Sequence, residues 1–499
     1  MQASNTPNAL RTIIIVGGGT AGWVTAAMLA RFVPTTTRIR LIESDAISTV
    51  GVGEATIPQI RFLTAALGLD ENKLLASTQG TFKLGIEFVD WSGVGSRYIH
   101  AFGAVGRQLG ILPFHHHWLR GIDLGIAGPL ADYMPTAGAV TDARFGRHDN
   151  VAYAYHLDAT LLAQLLSRVA QASAVERVEG RIVAVRRQGE SGDVAGVTLE
   201  DGTQVDGDFF LDCSGFHSLL LGEALGVGFE EWSHWLPCDR AMAVASTPTA
   251  PLLPYTRATA RPVGWQWRIP LQHRIGNGLV YQAAHLSDDE AAARLLSNLD
   301  GKAIGDPRPL RFATGKRHRF WERNVVALGL ASGFMEPLES TSIHMVQSGI
   351  ARLFTLFPAL EDNTAARDTY NRQTHAEYDR IRDFLILHYY ANGREEPFWR
   401  GCREMAIPET LAEKIRGFRT RAQLTQEEGD LFTDPAWLQV MIGQGVEPDG
   451  WSPLAERVDP ASLVKFLRDV RTNARRIAGA LPRHADFIAS HCATAVDNQ

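Results

Sequence analysis

An α/β fold built on a Rossmann-type, dinucleotide-binding core is what this 499-residue sequence predicts, and three features carry that reading. The apolar run Ile13-Ile14-Ile15-Val16 leads directly into Gly17-Gly18-Gly19-Thr20-Ala21-Gly22. A second strand, Ile39-Arg40-Leu41-Ile42, ends in Glu43, about twenty residues past the last glycine. Later strand-and-turn segments, Asp208 to Gly215 and Asn324 to Gly333, allow the chain to return to the same nucleotide after insertions.

Each element has a mechanical reason. Gly17 permits the tight turn after the strand, Gly19 lets backbone approach a pyrophosphate, and Gly22 lets the next helix pack on the sheet. Thr20 and Ala21 open that helix, expected over residues 20–32, whose positive end would face the phosphates. Glu43 is placed to bind ribose hydroxyls. Residues 51–58 read as a flexible turn running into a helix near 57–68, and Asp158 starts a helix with a buried face of Leu161, Leu162, Leu165, Leu166 and Val169. Strands alternate from 176 to 212, and Asn277-Gly278 reads as a hairpin turn in a second β-rich stretch. From about residue 345 the pattern is helical, with Leu463, Phe466, Leu467, Val470, Ala474 and Ile477 forming one stripe. The expected organisation is a nucleotide-binding core over 1–350, a substrate-side β region inserted over about 226–320, and a helical capping region over 351–499.

Composition bounds the function. With 45% apolar and 21% charged residues and a net charge of −6, the chain reads as an ordinary globular protein, with no basic footprint for nucleic acid or anionic membrane. Four cysteines without C-x-x-C spacing fit a reducing cytoplasm and neither a disulfide framework nor a zinc site. The uncharged stretch around the glycines has strand-turn-helix order and no basic region before it, so neither a membrane span nor a signal segment is expected. Phe114-His115-His116-His117-Trp118 invites a metal reading, but adjacent residues diverge in regular structure and no ligand set is completed, so pocket lining or surface is expected and metal is not.

In Trp265-Gln266-Trp267-Arg268-Ile269-Pro270 the two indoles fall one strand period apart and share a face. By spacing alone this suits a packed core strand. Beside the N-terminal G-x-G-x-x-G, however, W-x-W-x-I-P resembles the signature pair of the flavin-dependent halogenases, the tryptophan halogenase family. The later strand-turn segments likewise resemble the flavin-contacting motifs of the glutathione-reductase-like FAD fold, with Gly333 and the helix after it near the isoalloxazine.

The resemblance implies a two-component enzyme. FAD reduced by a separate flavin reductase reacts with O2 and halide to yield hypohalous acid, which crosses a tunnel to a small aromatic substrate. Trp265 and Trp267 would keep substrate away from the flavin, Lys83 would hydrogen-bond the hypohalous acid or become a haloamine, and Glu339 of Glu336-Pro337-Leu338-Glu339-Ser340-Thr341 would orient the electrophile and help remove the ring proton. His100 and Phe102 resemble the segment that sandwiches an indole, Ser340 falls on the substrate side, and Thr341 and Ser342 fall at the halide site.

Two departures matter. Ser342 stands where tryptophan-specific members usually have glycine, so easier use of bromide than chloride is expected. Around Trp437, the segment Phe432 to Gln439 lacks the tyrosine pair that holds free tryptophan's backbone; with those charges unsatisfied, an indole-type aromatic without the zwitterion is the expected substrate. The competing enzyme reading is a flavin-dependent aromatic monooxygenase (hydroxylase), which needs neither Lys83 nor Glu339; a flavin-binding protein without turnover is the non-enzymatic one. Oligomeric state stays open, with a homodimer among the options.

Overall fold

The run Thr12–Val16 lies inside a six-stranded sheet of order Trp321–Glu322, Val325–Ala327, Phe209–Asp212, Thr12–Val16, Arg38–Glu43, Glu176–Glu179. All neighbours pair in parallel except the first two. This computed structural model describes residues 10–46, 53–360 and 362–494. Alternate side chains of the central strand enter different cores. Ile13 and Ile15 pack with Trp23, Val24 and Leu29 of the helix Thr20–Phe32, whereas Ile14 and Val16 pack with Val194, Val197 and Val205 of a small three-stranded sheet. Burial on both faces explains why these strands read as unbroken apolar runs.

The glycine turn is dictated by close approach. Gly17 has φ +111°, and a Cβ there would lie 2.2 Å from the Cys213 carbonyl oxygen; one on Gly22 would lie 1.8 Å from the Gly17 oxygen. Gly19 has nothing within 4 Å of its Cβ position, so the space above the helix start is open.

A seven-stranded sheet carries the tryptophan motif: Ala303–Arg311, Arg240–Ser246, Ile275–Tyr281, Trp265–Pro270, Thr256–Ala260, Gly85–Val89 and Arg97–Ala101, in that order. The hairpin turn expected at Asn277-Gly278 is corrected here. Both residues lie inside the strand Ile275–Tyr281, and the chain turns earlier, where Leu271 N–H donates to the Arg274 carbonyl at 2.9 Å. Gly278 is glycine because it faces Trp267 across the sheet, and a Cβ would lie 2.0 Å from that indole. Packing against an aromatic ring, which the local sequence does not announce, overrides the turn propensity.

The expected flexible turn at 51–58 is also revised. Residues 51 and 52 lie outside the described residues, while Gly53–Ala55 is a strand paired with Ala154–Asp158, and the helix following runs Ile60–Ala66. The helix Ala159–Ala172 starts where its cap was read, with Asp158 accepting from the Thr160 and Leu161 N–H groups. The helices Ser342–Thr355, Thr364–Tyr390, Asp434–Gly443 and Pro460–Ala480 supply the C-terminal side, and the stripe from Leu463 to Ile477 is buried. Among the described residues no helix is long and apolar enough to cross a membrane.

Gly278→Ala should lower the midpoint of urea unfolding by an amount corresponding to about 1–3 kcal/mol of overpacking, and Trp267→Ala in the same chain should recover part of it. Equal loss with and without Trp267 would mean that the ring does not impose the glycine.

Candidate active site

Lys83 ends the short strand Thr81–Lys83, whose alternation puts Phe82 into an aromatic core, stacked 3.7 Å from Phe145, and Lys83 on the opposite face. The lysine side chain is fully buried. Its Nζ donates to the Thr56 carbonyl at 3.0 Å and to Ser340 Oγ at 2.7 Å, and lies 5.2 Å from the centre of the Phe102 ring. Burial pushes the amine down to about 7, against the opposing pull of Glu339.

Glu339 closes the 3-10 turn Pro337–Glu339, and Ser340 then takes the left-handed conformation, φ +62°. That conformation is uncommon for a residue with a Cβ, and here it presents Ser340 Oγ to Lys83 while the next residues enter the helix Ser342–Thr355. Glu339 is buried between two histidines. His100 Nδ1, from the edge strand Arg97–Ala101, sits 3.0 and 3.1 Å from its two oxygens, and His388 Nε2, from the helix Thr364–Tyr390, sits 2.9 Å from Oε1. Burial by itself would raise this carboxyl, but the charge and hydrogen bonding of His100, together with the close approach of His388, prevail and hold it near 2.

Trp265 and Trp267 lie side by side with ring centres 6.1 Å apart. A second buried carboxyl stands behind them: Glu336 Oε2 accepts from Trp265 Nε1 at 2.8 Å and from the Tyr389 hydroxyl at 2.6 Å, while Oε1 has no partner among the described residues. Burial raises Glu336 to about 7 despite those two donors. The turn 336–340 therefore holds one carboxyl kept ionised and one poised near neutrality.

At the other end of the core, the open space above Gly19 and the first turn of Thr20–Phe32, which has no side-chain cap, form a cradle that suits a pyrophosphate. Glu43 is tied to Arg177 at 2.5 Å and to Trp23 Nε1 at 3.3 Å. Gly333 meets Gly315 and Tyr378 closely, so tight packing alone requires its lack of a Cβ. Thr341 and Ser342 begin the helix Ser342–Thr355 without a side-chain cap.

The segment lacking the tyrosine pair is folded into the scaffold. Trp437 is buried edge-on to Phe384, with ring centres 4.8 Å apart, and Phe432 stacks on the same ring at 3.9 Å. Gln439 exchanges two hydrogen bonds with the Ala101 backbone, pairing the outer strand that carries His100. The three adjacent histidines are not at the surface: His115 and His117 contact the Ala422 and Leu109 carbonyls, and His116 Nδ1 accepts from Ser452 N–H. No cluster of metal-ligating side chains occurs among the described residues.

Sequence reasoning placed Lys83, Glu339, Ser340, His100 and Phe102 near one another, and the structure does so too. It missed His388, Tyr389 and the pairing of Glu336 with Trp265. No local signal marks a histidine near the end of a 27-residue helix.

Trp265→Phe and Tyr389→Phe each remove one donor from Glu336 and should each cost about 1–3 kcal/mol, read from the urea midpoint. Unchanged midpoints in both would show that the carboxyl does not depend on those bonds.

A family model described as tryptophan halogenase matches residues 12–460. The tryptophan 6-halogenase SttH of Streptomyces toxytricini is 33% identical across 96% of this chain and 98% of its own length. Two solved structures superpose closely at 45% identity, each covering 97% of this chain and 99% of the other: Xcc4156, a flavin-dependent halogenase from Xanthomonas campestris, with a TM-score of 0.96, and BrvH, a flavin-dependent halogenase from Brevundimonas sp. BAL3, with a TM-score of 0.93. Full-length agreement in sequence and fold, with the glycine turn and paired indoles in place, means that this chain belongs to the tryptophan halogenase family and is a flavin-dependent halogenase.

Proposed function

We propose that this halogenase delivers hypohalous acid, by way of Lys83, to an electron-rich, indole-type aromatic that lacks the amino-acid zwitterion. The observation that carries the reading is the fully buried Lys83 amine, tied to Thr56 and Ser340 and electrostatically coupled to Glu339. Gly17, Gly19, Thr20, Ala21 and Gly22 would hold the pyrophosphate of FAD, with Glu43 toward the ribose and Gly333 toward the flavin ring. Reduced by a separate flavin reductase, FAD supplies hypohalous acid from O2 and halide.

The protein's own groups do the rest. Trp265 and Trp267 wall the passage between the nucleotide end and Lys83. With its proton lost near neutrality, the Lys83 amine holds the electrophile by hydrogen bonding, or forms an N–halogen bond as the halogen–oxygen bond breaks, one amine proton leaving with the hydroxide as water. Glu339, held ionised, takes the proton that leaves the ring carbon. His100, Phe102 and Ser340 line the substrate side, and Thr341 and Ser342 the halide side. Because Trp437 and Gln439 are committed to packing and strand pairing, the ammonium and carboxylate of free tryptophan find no partners in that segment.

The test is turnover of an aromatic panel with a flavin reductase, NADH and equal bromide and chloride, read by mass spectrometry. A halogen isotope pattern is expected on indole, more brominated than chlorinated, with free tryptophan a poor substrate. Gain of one oxygen would instead indicate a hydroxylase, and equal turnover of indole and tryptophan would remove the substrate assignment. Lys83→Ala and Glu339→Gln should each lose about 10²–10⁴-fold in rate; retained halogenation in Lys83→Ala means that the lysine is assigned wrongly. The rate should rise with pH through about 7 as the Lys83 amine sheds its proton. A limb that instead falls across that range would contradict the amine form.

A further inference from the structure

His388 has its hydrogens fixed by its surroundings. Nδ1 lies 2.8 Å from the Phe384 carbonyl, which can only accept, so Nδ1 carries a hydrogen. Nε2 lies 2.9 Å from Glu339 Oε1, close but too oblique for a directed hydrogen bond. An unprotonated Nε2 would hold a lone pair 2.9 Å from an anionic oxygen with no room for water between them, and a second proton, on Nε2, turns that repulsion into attraction. The ring has little freedom to turn away: it is fully buried, with Phe88 at 4.9 Å, Phe384 at 5.3 Å and Trp91 at 6.1 Å between ring centres.

Counting the charges around Glu339 gives that proton a purpose. Lys83 faces the carboxylate electrostatically, although its two hydrogen bonds go to Thr56 and Ser340. From the outer strand come His100, bonded to the carboxylate, and Tyr98, whose buried hydroxyl has no partner among the described residues and is pushed up by burial and by Glu339. From the strand behind Lys83 comes His156, driven well below its ordinary value by burial and then by Lys83, and so neutral. Glu336, on the same turn, is engaged with Trp265 and Tyr389. Of the two described histidines against Glu339, His388 is the one whose other nitrogen is already committed as a donor to a carbonyl.

We propose that His388 is a positioning residue whose imidazolium neutralises Glu339, so that Lys83 is left as an uncharged amine at working pH. This rests on the role given above to Lys83. Without the imidazolium, the carboxylate draws its balancing charge from Lys83, which then stays an ammonium with no lone pair to offer.

The test is 15N NMR of the intact protein, labelled in lysine and histidine, without turnover. Lys83 is identified by loss of its signal in Lys83→Met, and His388 likewise in His388→Gln. At neutral pH both His388 nitrogens should carry protons. The Lys83 midpoint should rise by one pH unit or more in His388→Gln and in His388→Phe, and the alkaline-going limb of the rate profile should move with it. An unmoved Lys83 midpoint in either folded variant, or a neutral His388 in the parent, overturns the proposal. Failure of the Lys83 assignment itself appears separately, as halogenation retained by Lys83→Ala.

Discussion

The constraint on which the site depends is the burial of Glu339 and Lys83 in one dry volume. An ionised carboxylate removed from water costs several kcal/mol unless it is paired and hydrogen-bonded. Here the pairing comes from His100 and His388 on two separate elements, and Lys83 is held by neutral oxygens instead of by the carboxylate. A direct ion pair would favour the ammonium; without one, burial brings the amine down to about 7 against the pull of Glu339.

Much of the surrounding fold serves to hold that arrangement. The left-handed Ser340 turns the chain so that consecutive residues address Glu339's histidines and Lys83's amine. The outer strand bearing His100 would expose its backbone edge, but Gln439 pairs with Ala101 one residue along. The paired indoles are anchored to the same turn, because Glu336 accepts from Trp265 only three residues before Glu339. Displacing that turn would disturb the paired indoles and the Glu339 carboxylate together.

Local rules made the nucleotide end legible. The turn at Gly17, the helix start at Thr20 and the cap at Asp158 follow from short-range sterics and hydrogen bonding, and they fall where those rules place them. The motif residues Lys83 and Glu339 were legible only through resemblance, since nothing in the sequence brings residues 83 and 339 together. What stayed hidden depends on contacts distant in sequence. Asn277-Gly278 has the chemistry of a turn, yet the Trp267 ring makes it part of a strand. His388 and Tyr389 sit in an ordinary helical run, and only the fold carries them to two different carboxyls.

The segment Phe432 to Gln439 is committed to the scaffold that supports the site. Phe432 and Trp437 complete an aromatic layer on Phe384, and the Phe384 ring in turn lies 5.8 Å from His100 and carries, through its carbonyl, the hydrogen bond that fixes His388. Gln439 is spent on the strand that bears His100. These side chains thus brace both histidines of Glu339. Placing a pair of polar side chains in that segment would require replacing the braces as well, because the same positions support His100 and His388.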